Sequence, residues 1–403
     1  MIIIKTLIEL FDSCQVENVV AGLRFNPDKI IYVGYKEAMS NRKINAVKRF
    51  FELREYAGTI EFVFTERYDF NNITEKLNAL IDDNEACWFD LTGGKELVLA
   101  AMGAVSALRN VPMVQFNVRS GSFVRVKNCE TTIEPPEASI NVNECVTLHG
   151  GAMVCSEHSV YPATELGSEA EVLWDISCGN CKEWNRRATM FRYIENHGEI
   201  DKDLMVRAKL DFMSESDRDE LKRSSVIEQL IKHELLMDYS LKKDQITFRY
   251  KNSLVRQCLA KSGNILELYT YLTIKLLQKE DESYCSDVKM GVSVDWDGVI
   301  YDIGDRAETR NEIDIIMTRG LIPIFISCKN GEVHKEALYE LEAVADQFGG
   351  EYAKKVLIAT YVSYNDESFD YIKQRAIDMN ITFIYDVDRM WPEEFRAALR
   401  RRV

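Results

Sequence analysis

No apolar run in the chain approaches the ~20 residues needed to cross a bilayer. The opening MIIIKTLIELF alternates with charge and lacks the small-residue cleavage site of a signal peptide. The expectation is a first buried strand in a cytoplasmic protein that does not enter a membrane. Ten cysteines follow no framework spacing, which argues against a disulfide scaffold. Two phosphate signatures are missing, since neither GxxxxGK(S/T) nor GxGxxG occurs. In the middle of the chain, no helical run shows the dense Arg/Lys face of a DNA reader. The formal net charge of −15 argues against a surface coated for nucleic acid, although a local basic groove is compatible with it.

What is present is length and core material. With 403 residues and 46% hydrophobic residues, two or three domains are expected. The first part alternates strand-like and helix-like runs. KTLIELF, KIIYVGY, TIEFVFTE, ACWFDLTGG and VPMVQFNV read as strands, and Glu17–Leu23, Ser40–Ala57, Ile73–Ile81 and Lys95–Arg109 as helices. This predicts a mostly parallel sheet covered by helices on both faces. Ligands of such sheets bind outside the carboxyl ends of the strands. The loops at Asp12–Gln15, Gly34-Tyr35 and Thr65-Glu66 lie there, and so does Asp90-Leu91-Thr92-Gly93-Gly94-Lys95-Glu96. In the last, paired glycines admit a ligand close to the backbone and the helix start offers free amides. Thr92 can donate a hydrogen bond and Lys95 brings positive charge, which suits a phosphate or ribose-phosphate. A turn that simply requires glycine explains the same residues.

DLTGGKE after a fourth Rossmann-like strand, with a polar loop after the first, resembles the CRISPR-associated Rossmann-fold (CARF) sensors and their motif (D/N)-x-(S/T)-G-G-(T/K). The resemblance spans about the first 125 residues. It implies a homodimer binding one cyclic oligoadenylate across its two-fold axis. Thr92, Gly93, Gly94 and Lys95 would contact the ligand, with Ser13, Cys14 and Gln15 nearby. The threonine often found before the lysine is absent, which leaves ring size and self-cleavage of the ligand open.

Between Arg125 and Tyr161 the alternation fades, Pro135-Pro136 and Gly150-Gly151 appear, and irregular connecting structure with some strands is expected. Helices from Asn185 to Lys261 with two strands around Lys242-Lys243-Asp244 fit a winged helix, or more simply a spacer orienting its neighbours. Cys155-x-x-His158 with Cys178-x-x-Cys181 offers four zinc ligands on paper, but chance explains the spacing better.

The last part runs from the amphipathic helix GNILELYTYLTIKLL, which carries Glu267, to NEIDIIM and LIPIFISCK, joined by a short loop, TRGLI. Residues i and i+2 of a strand share a face, which pairs Glu312 with Asp314 and Ser327 with Lys329. Phosphodiester hydrolysis near neutral pH uses a metal to polarise phosphate and activate water. Mg²⁺ or Mn²⁺ takes oxygen ligands, and a lysine beside them can stabilise charge building on the phosphate.

That order resembles the PD-(D/E)xK nuclease superfamily over residues 262 to 390. Glu267, Asp314 and Lys329 take the places of its helix acid, strand acid and lysine, with Glu267 and Asp314 as metal ligands. Ser327 stands where the family usually has an acid. Glu312 or Glu336 could compensate, and the chain also resembles CARF-nuclease effectors in which SCK replaces ECK. Cys328 should be a core thiol, His334 a surface residue, and Asp295-Trp296-Asp297-Gly298 a hairpin turn with a possible further acid.

The expected fold class is α/β. A Rossmann-like CARF sheet (1–128) leads through a connector (129–184) and a winged-helix-like α+β region (185–261) to a restriction-endonuclease-like domain (262–403). The expected function is a homodimeric, cyclic oligoadenylate-activated, metal-dependent nuclease of type III CRISPR defence, with cyclic tetra-adenylate favoured. Its substrate would be single-stranded DNA, RNA or duplex DNA. The rivals are a ligand-controlled transcription factor with an inert C-terminal domain, and a ring nuclease degrading its own ligand.

Overall fold

Strand propensity and helix amphipathicity set the element order in the computed structural model, which describes residues 4–118, 120–127, 130–134, 138–154, 167–242, 244–299, 310–361 and 366–403. The first unit runs β1 (Thr6–Leu10), α1 (Val20–Phe25), β2 (Lys29–Tyr35), α2 (Asn41–Leu53), β3 (Thr59–Thr65), α3 (Phe70–Asp83), β4 (Cys87–Asp90), α4 (Glu96–Arg109), β5 (Met113–Asn117), β6 (Ser122–Lys127) and β7 (Glu130–Glu134). Its sheet has the order β3-β2-β1-β4-β5-β6-β7. The first five strands are parallel, as the alternation requires, and β1 is fully buried in the middle. The strands β6 and β7 add antiparallel to the edge. The sheet therefore continues past residue 128 into a stretch expected to be irregular. Alternation alone did not mark these edge strands, because they carry exposed polar side chains.

The helix expected from Glu17 begins only at Val20. Asp12 N–H donates to Asn18 Oδ1, and Asn18 Nδ2 donates to Gln15 Oε1 and to Asp12 O, so side chains hold 12–18 as a turn. Next come α5 (Val142–Leu148), started by a reciprocal Asn141–Glu144 capping box, and β8 (Ala152–Val154).

The middle region comprises α6 (Gly167–Gly179), α7 (Cys181–Asn196), β9 (Gly198–Ile200), β10 (Met205–Lys209), α8 (Glu215–Lys222), α9 (Ser225–Lys232), β11 (Leu236–Lys242), β12 (Gln245–Tyr250) and α10 (Ser253–Ala260). Its strands form a small sheet, β11-β12-β10-β9, paired antiparallel throughout.

The last unit is α11 (Asn264–Glu280), β13 (Asp287–Asp295), β14 (Arg310–Arg319), β15 (Ile322–Lys329), α12 (Lys335–Gly349), β16 (Lys354–Ala359), α13 (Asp366–Asp378), β17 (Ile381–Ile384) and α14 (Pro392–Arg402). The sheet order is β17-β16-β15-β14-β13-β8, so the short strand before the middle region closes the sheet of the last unit. The TRGLI segment is a tight hairpin rather than a loop, with Arg319 opposite Ile322 and Gly320 at φ 58°. One apolar cluster joins Trp184, Phe191 and Phe248 of the middle region to Leu266, Ile326 and Phe395. Middle region and last unit are thus packed on a shared core. No described helix is long and apolar enough to cross a membrane.

Candidate functional site

Three elements converge toward one end of the central strands β14 and β15 of the last sheet. Glu267 lies in the first turn of α11 and is 6% exposed, held there by flanking Leu266 and Leu268 in the core. Asp314 sits in β14, where its Oδ2 accepts from the Cys328 backbone N–H at 2.6 Å and from Ser327 Oγ at 3.2 Å. Lys329 ends β15, and its carbonyl accepts from the Thr360 N–H at 3.2 Å, which ties the strand end to β16. Glu312 is exposed on the same strand as Asp314 and accepts from Lys261 Nζ at 2.9 Å. The same ammonium lies 3.9 Å from Glu267 Oε1.

The electrostatics follow from burial and crowding. Burial, then the charge of Asp314, pushes the Glu267 carboxyl up to about 7, against the pull of Lys261 and Lys329. Burial also raises Asp314, opposed by the Cys328 N–H, the two lysines and Ser327. For Lys261 burial works against the charge, but Glu267, Glu312 and Asp314 outweigh it and hold the ammonium above its ordinary value. A buried Glu267 whose proton affinity is raised by the neighbouring Asp314 charge, beside a half-buried Asp314, makes a donor set whose repulsion a hard divalent cation relieves. Glu267 and Asp314 fit that role by chemistry and position. Among the described residues no group of three or more His, Cys, Asp or Glu side chains stands together as a metal cage.

Of the other residues singled out from sequence, Cys328 is a buried core thiol whose Sγ faces Thr270. His334 is exposed at the start of α12, and Glu336 is exposed in its first turn. Asp295 is buried and uses Oδ1 to accept from the N–H groups of Asp297 and Gly298, so it builds the turn. Burial drives the Cys178 and Cys181 thiols up to about 11 and about 12, while Cys155 and His158 lie outside the described residues. Sequence reasoning missed Lys261, Asn185, Asn330 and Thr360. Lys261 sits in a helix-to-helix turn, where no periodicity points at it.

In the first sheet, the loops after β1 and β4 meet. Asp12 accepts from the Gly94 N–H at 2.6 Å and from the Cys14 N–H at 2.8 Å, and Ser13 Oγ donates to it at 3.1 Å. Gly93 and Gly94 take φ of +72° and +90°, open to glycine without strain. Thr92 is buried; its hydroxyl donates to Asp90 at 2.6 Å and accepts from the Phe116 N–H at 2.7 Å. Thr92 therefore shapes the loop from beneath, while Lys95 is exposed at its end. Cys14 and Gln15 are buried, and Gln15 Nε2 donates to the Leu148 carbonyl. A cavity of about 360 Å³ is lined by Ser13, Gln15, Arg42, Lys43 and His149.

The chain thus carries a glycine loop at the strand ends of its first sheet, and Asp314 and Lys329 on its last sheet beside Glu267. Residues 255–390 match the family described as Card1-like, endonuclease domain. No curated protein matches the sequence. The whole fold is similar to protein VC1899 from Vibrio cholerae, with TM-score 0.74 and 18% identity over 98% of this chain and 96% of that one. It is similar to Can2 from Sulfobacillus thermosulfidooxidans, solved with cyclic tetra-adenylate, with TM-score 0.70 and 14% identity over 98% of each chain. A type III CRISPR defence DNA nuclease activated by cyclic oligoadenylate matches at TM-score 0.51 and 13% identity, over 90% of this chain and 46% of that one. The resemblance to CARF nucleases read from the sequence therefore holds, by fold along the chain and by family in its last third.

Proposed function

We propose that the chain is a homodimeric endonuclease of type III CRISPR defence, switched on by a cyclic oligoadenylate and dependent on Mg²⁺ or Mn²⁺. The observation that carries this reading is that Glu267, Asp314 and Lys329, from three separate elements, come close enough on the central strands for Asp314 and Lys329 to act on the Glu267 carboxyl. A divalent ion held by Glu267 and Asp314 would polarise the scissile phosphate and activate water. Asp314 is oriented by the Cys328 N–H, so its second oxygen is the one left to face a ligand. Ser327 supports Asp314 instead of replacing the missing acid. Glu312 is the carboxylate positioned to supplement the pair once Lys261 releases it. Lys329 supplies the charge that steadies the phosphate as it becomes pentacoordinate.

Thr92 to Lys95 and Ser13 form the floor of the proposed nucleotide site, through glycine backbone and the exposed Lys95 charge. The similarity to a fold solved with cyclic tetra-adenylate favours that ring. Gating requires the ligand to bind the active arrangement better than the resting one.

The test is cleavage of labelled single-stranded DNA, RNA and supercoiled plasmid with Mn²⁺ or Mg²⁺. Each substrate is run with cyclic tri-, tetra- and hexa-adenylate and without any ring. Cutting with one ring alone supports both halves. Ligand binding without any cutting favours the second reading, a ligand-gated binding protein, which the serine at 327 and its bond to Asp314 support.

A further inference from the structure

The residue after Lys329 is clamped by the middle region. Asn185 on α7 donates from Nδ2 to the Asn330 carbonyl at 2.7 Å, and Asn330 Nδ2 donates back to Asn185 Oδ1 at 3.1 Å. Asn330 Nδ2 also donates to the Ser262 carbonyl at 2.8 Å, and its Oδ1 accepts from Thr360 Oγ1 at 3.0 Å. Every hydrogen-bonding atom of the Asn330 amide is thereby used. Gly331 follows at φ +140°, where an added Cβ would stand 3.3 Å from Asn185 Nδ2 and 4.0 Å from the Tyr361 hydroxyl. The α7 helix thus touches the end of the strand that bears the lysine, and it does so from a shared apolar core.

On the same face of α7, three residues before Asn185, stands Lys182. Its ammonium lies over the ring of Tyr361, 5.4 Å from the centroid. Its neighbours on the helix are committed elsewhere: Glu183 to Ser224, Ser225 and Arg187, Arg186 and Arg187 to Glu220. Lys182 is exposed and pairs with no carboxylate among the described residues. Glu332 and Asp388 lie close enough to raise the Tyr361 hydroxyl, after burial, yet neither forms an ion pair with Lys182 among those residues.

The geometry points to α7 as a wall of the nuclease site: Lys182 and Tyr361 form a subsite for a single nucleic-acid strand beside the scissile bond, held in register with Lys329 by the Asn185–Asn330 clamp. The inference rests on the nuclease reading of that edge. A phosphate can take the ammonium from the ring, and the freed aromatic face can then stack a base, the pairing of charge and ring that strand-binding grooves use. A duplex keeps its bases stacked on each other and cannot use the ring. The middle region is then part of the substrate site as well as a spacer.

The test is fluorescence anisotropy of labelled single-stranded DNA and RNA 20-mers on the full chain in EDTA, so that no cutting intervenes. Lys182→Glu and Tyr361→Ala should each weaken binding by roughly fivefold or more, from the lost phosphate contact and the lost stack. Lys232→Glu, an equal charge change on α9, should leave binding near wild type. Thermal melts confirm that each variant is folded. A loss confined to DNA or to RNA supports the subsite and names the strand it takes. Unchanged binding in Lys182→Glu, an equal loss in Lys232→Glu, or no binding by the wild type overturns it. Absence of cutting by the wild type with every ring and metal counts against the nuclease reading alone, because the binding arms stand without it.

Discussion

Tyr352 donates its hydroxyl to the carboxylate of Glu17 across 2.6 Å, and the other oxygen of that carboxylate lies 2.5 Å from where a side chain on Gly93 would begin. One side chain therefore touches both the proposed ligand loop and the turn that ends α12, the helix following Lys329. Around it, Arg42 donates to the Trp296 carbonyl and Arg49 to the Gly298 carbonyl. Arg54 pairs with the buried Glu144. Arg42 and Arg49 of α2 fasten the first unit to the turn after β13, and Arg54, just past α2, holds α5, while Glu17 touches the loop itself.

Tyr352→Phe removes only the hydroxyl. It should cost about 1 kcal/mol in urea denaturation, the net worth of one hydrogen bond. It should also lower the ratio of cutting with cyclic tetra-adenylate to cutting without it. Ligand titrations measure affinity separately. A ratio equal to wild type would remove Glu17–Tyr352 from the signal path.

Lys329→Ala should abolish cutting and leave ligand binding intact, since Lys329 is at the far sheet. Lys95→Glu should do the reverse at the other end, weakening cyclic oligoadenylate binding by tenfold or more through one lost and one repulsive charge. Its urea midpoint should stay near wild type, because Lys95 is exposed. Residual metal-dependent cutting by Lys329→Ala would place the chemistry elsewhere.

Much of this was legible in the chain because strands with β-branched runs and helices with apolar faces obey short-range rules. KIIYVGY is a strand from Lys29 to Tyr35, as read. The order Glu267, Asp314, Lys329 was also visible, since each charge stands among the apolar residues of its helix or strand. What the sequence could not show is long-range. Asn185 meets Asn330 across 145 positions, and β8 leaves its neighbours to close the last sheet. Thr92 looked like a ligand donor because its hydroxyl was unassigned, whereas folding spends it on Asp90 and Phe116.

Two glycines make a paired test of backbone freedom. Gly94 combines φ +90° with a Cβ position 2.5 Å from Leu10 Cδ1, so Gly94→Ala meets both strain and a buried side chain. It should destabilise by about 1–3 kcal/mol in urea melts. Gly103 sits inside α4 with nothing within 4 Å of an added Cβ. Gly103→Ala should stabilise by about 1 kcal/mol through helix propensity. A neutral Gly94→Ala would mean that the loop relaxes freely.

Beneath the proposed ligand loop lies a pair of buried acids, Glu9 and Asp90, opposite one another in β1 and β4. Burial pushes Asp90 up to about 7, and burial followed by the charge of Asp90 raises Glu9 well above the carboxylate range. Neither Glu9 oxygen has a hydrogen-bond partner among the described residues. In the unfolded chain both acids lose their protons near pH 4. The folded chain holds protons that the unfolded chain has released, so stability is highest below pH 4 from these groups and falls as pH rises through 7. Asp90→Asn keeps an acceptor for the Thr92 N–H and hydroxyl while removing the charge. Urea denaturation at pH 5 and pH 8 should show the variant gaining on the wild type by on the order of 2 kcal/mol at the higher pH. Equal slopes with pH in the two proteins would show that Asp90 is not the group that titrates. A phosphate ligand bound above this pair would meet less repulsion at low pH, so its affinity should fall between pH 6 and pH 8 in the wild type and fall less in Asp90→Asn.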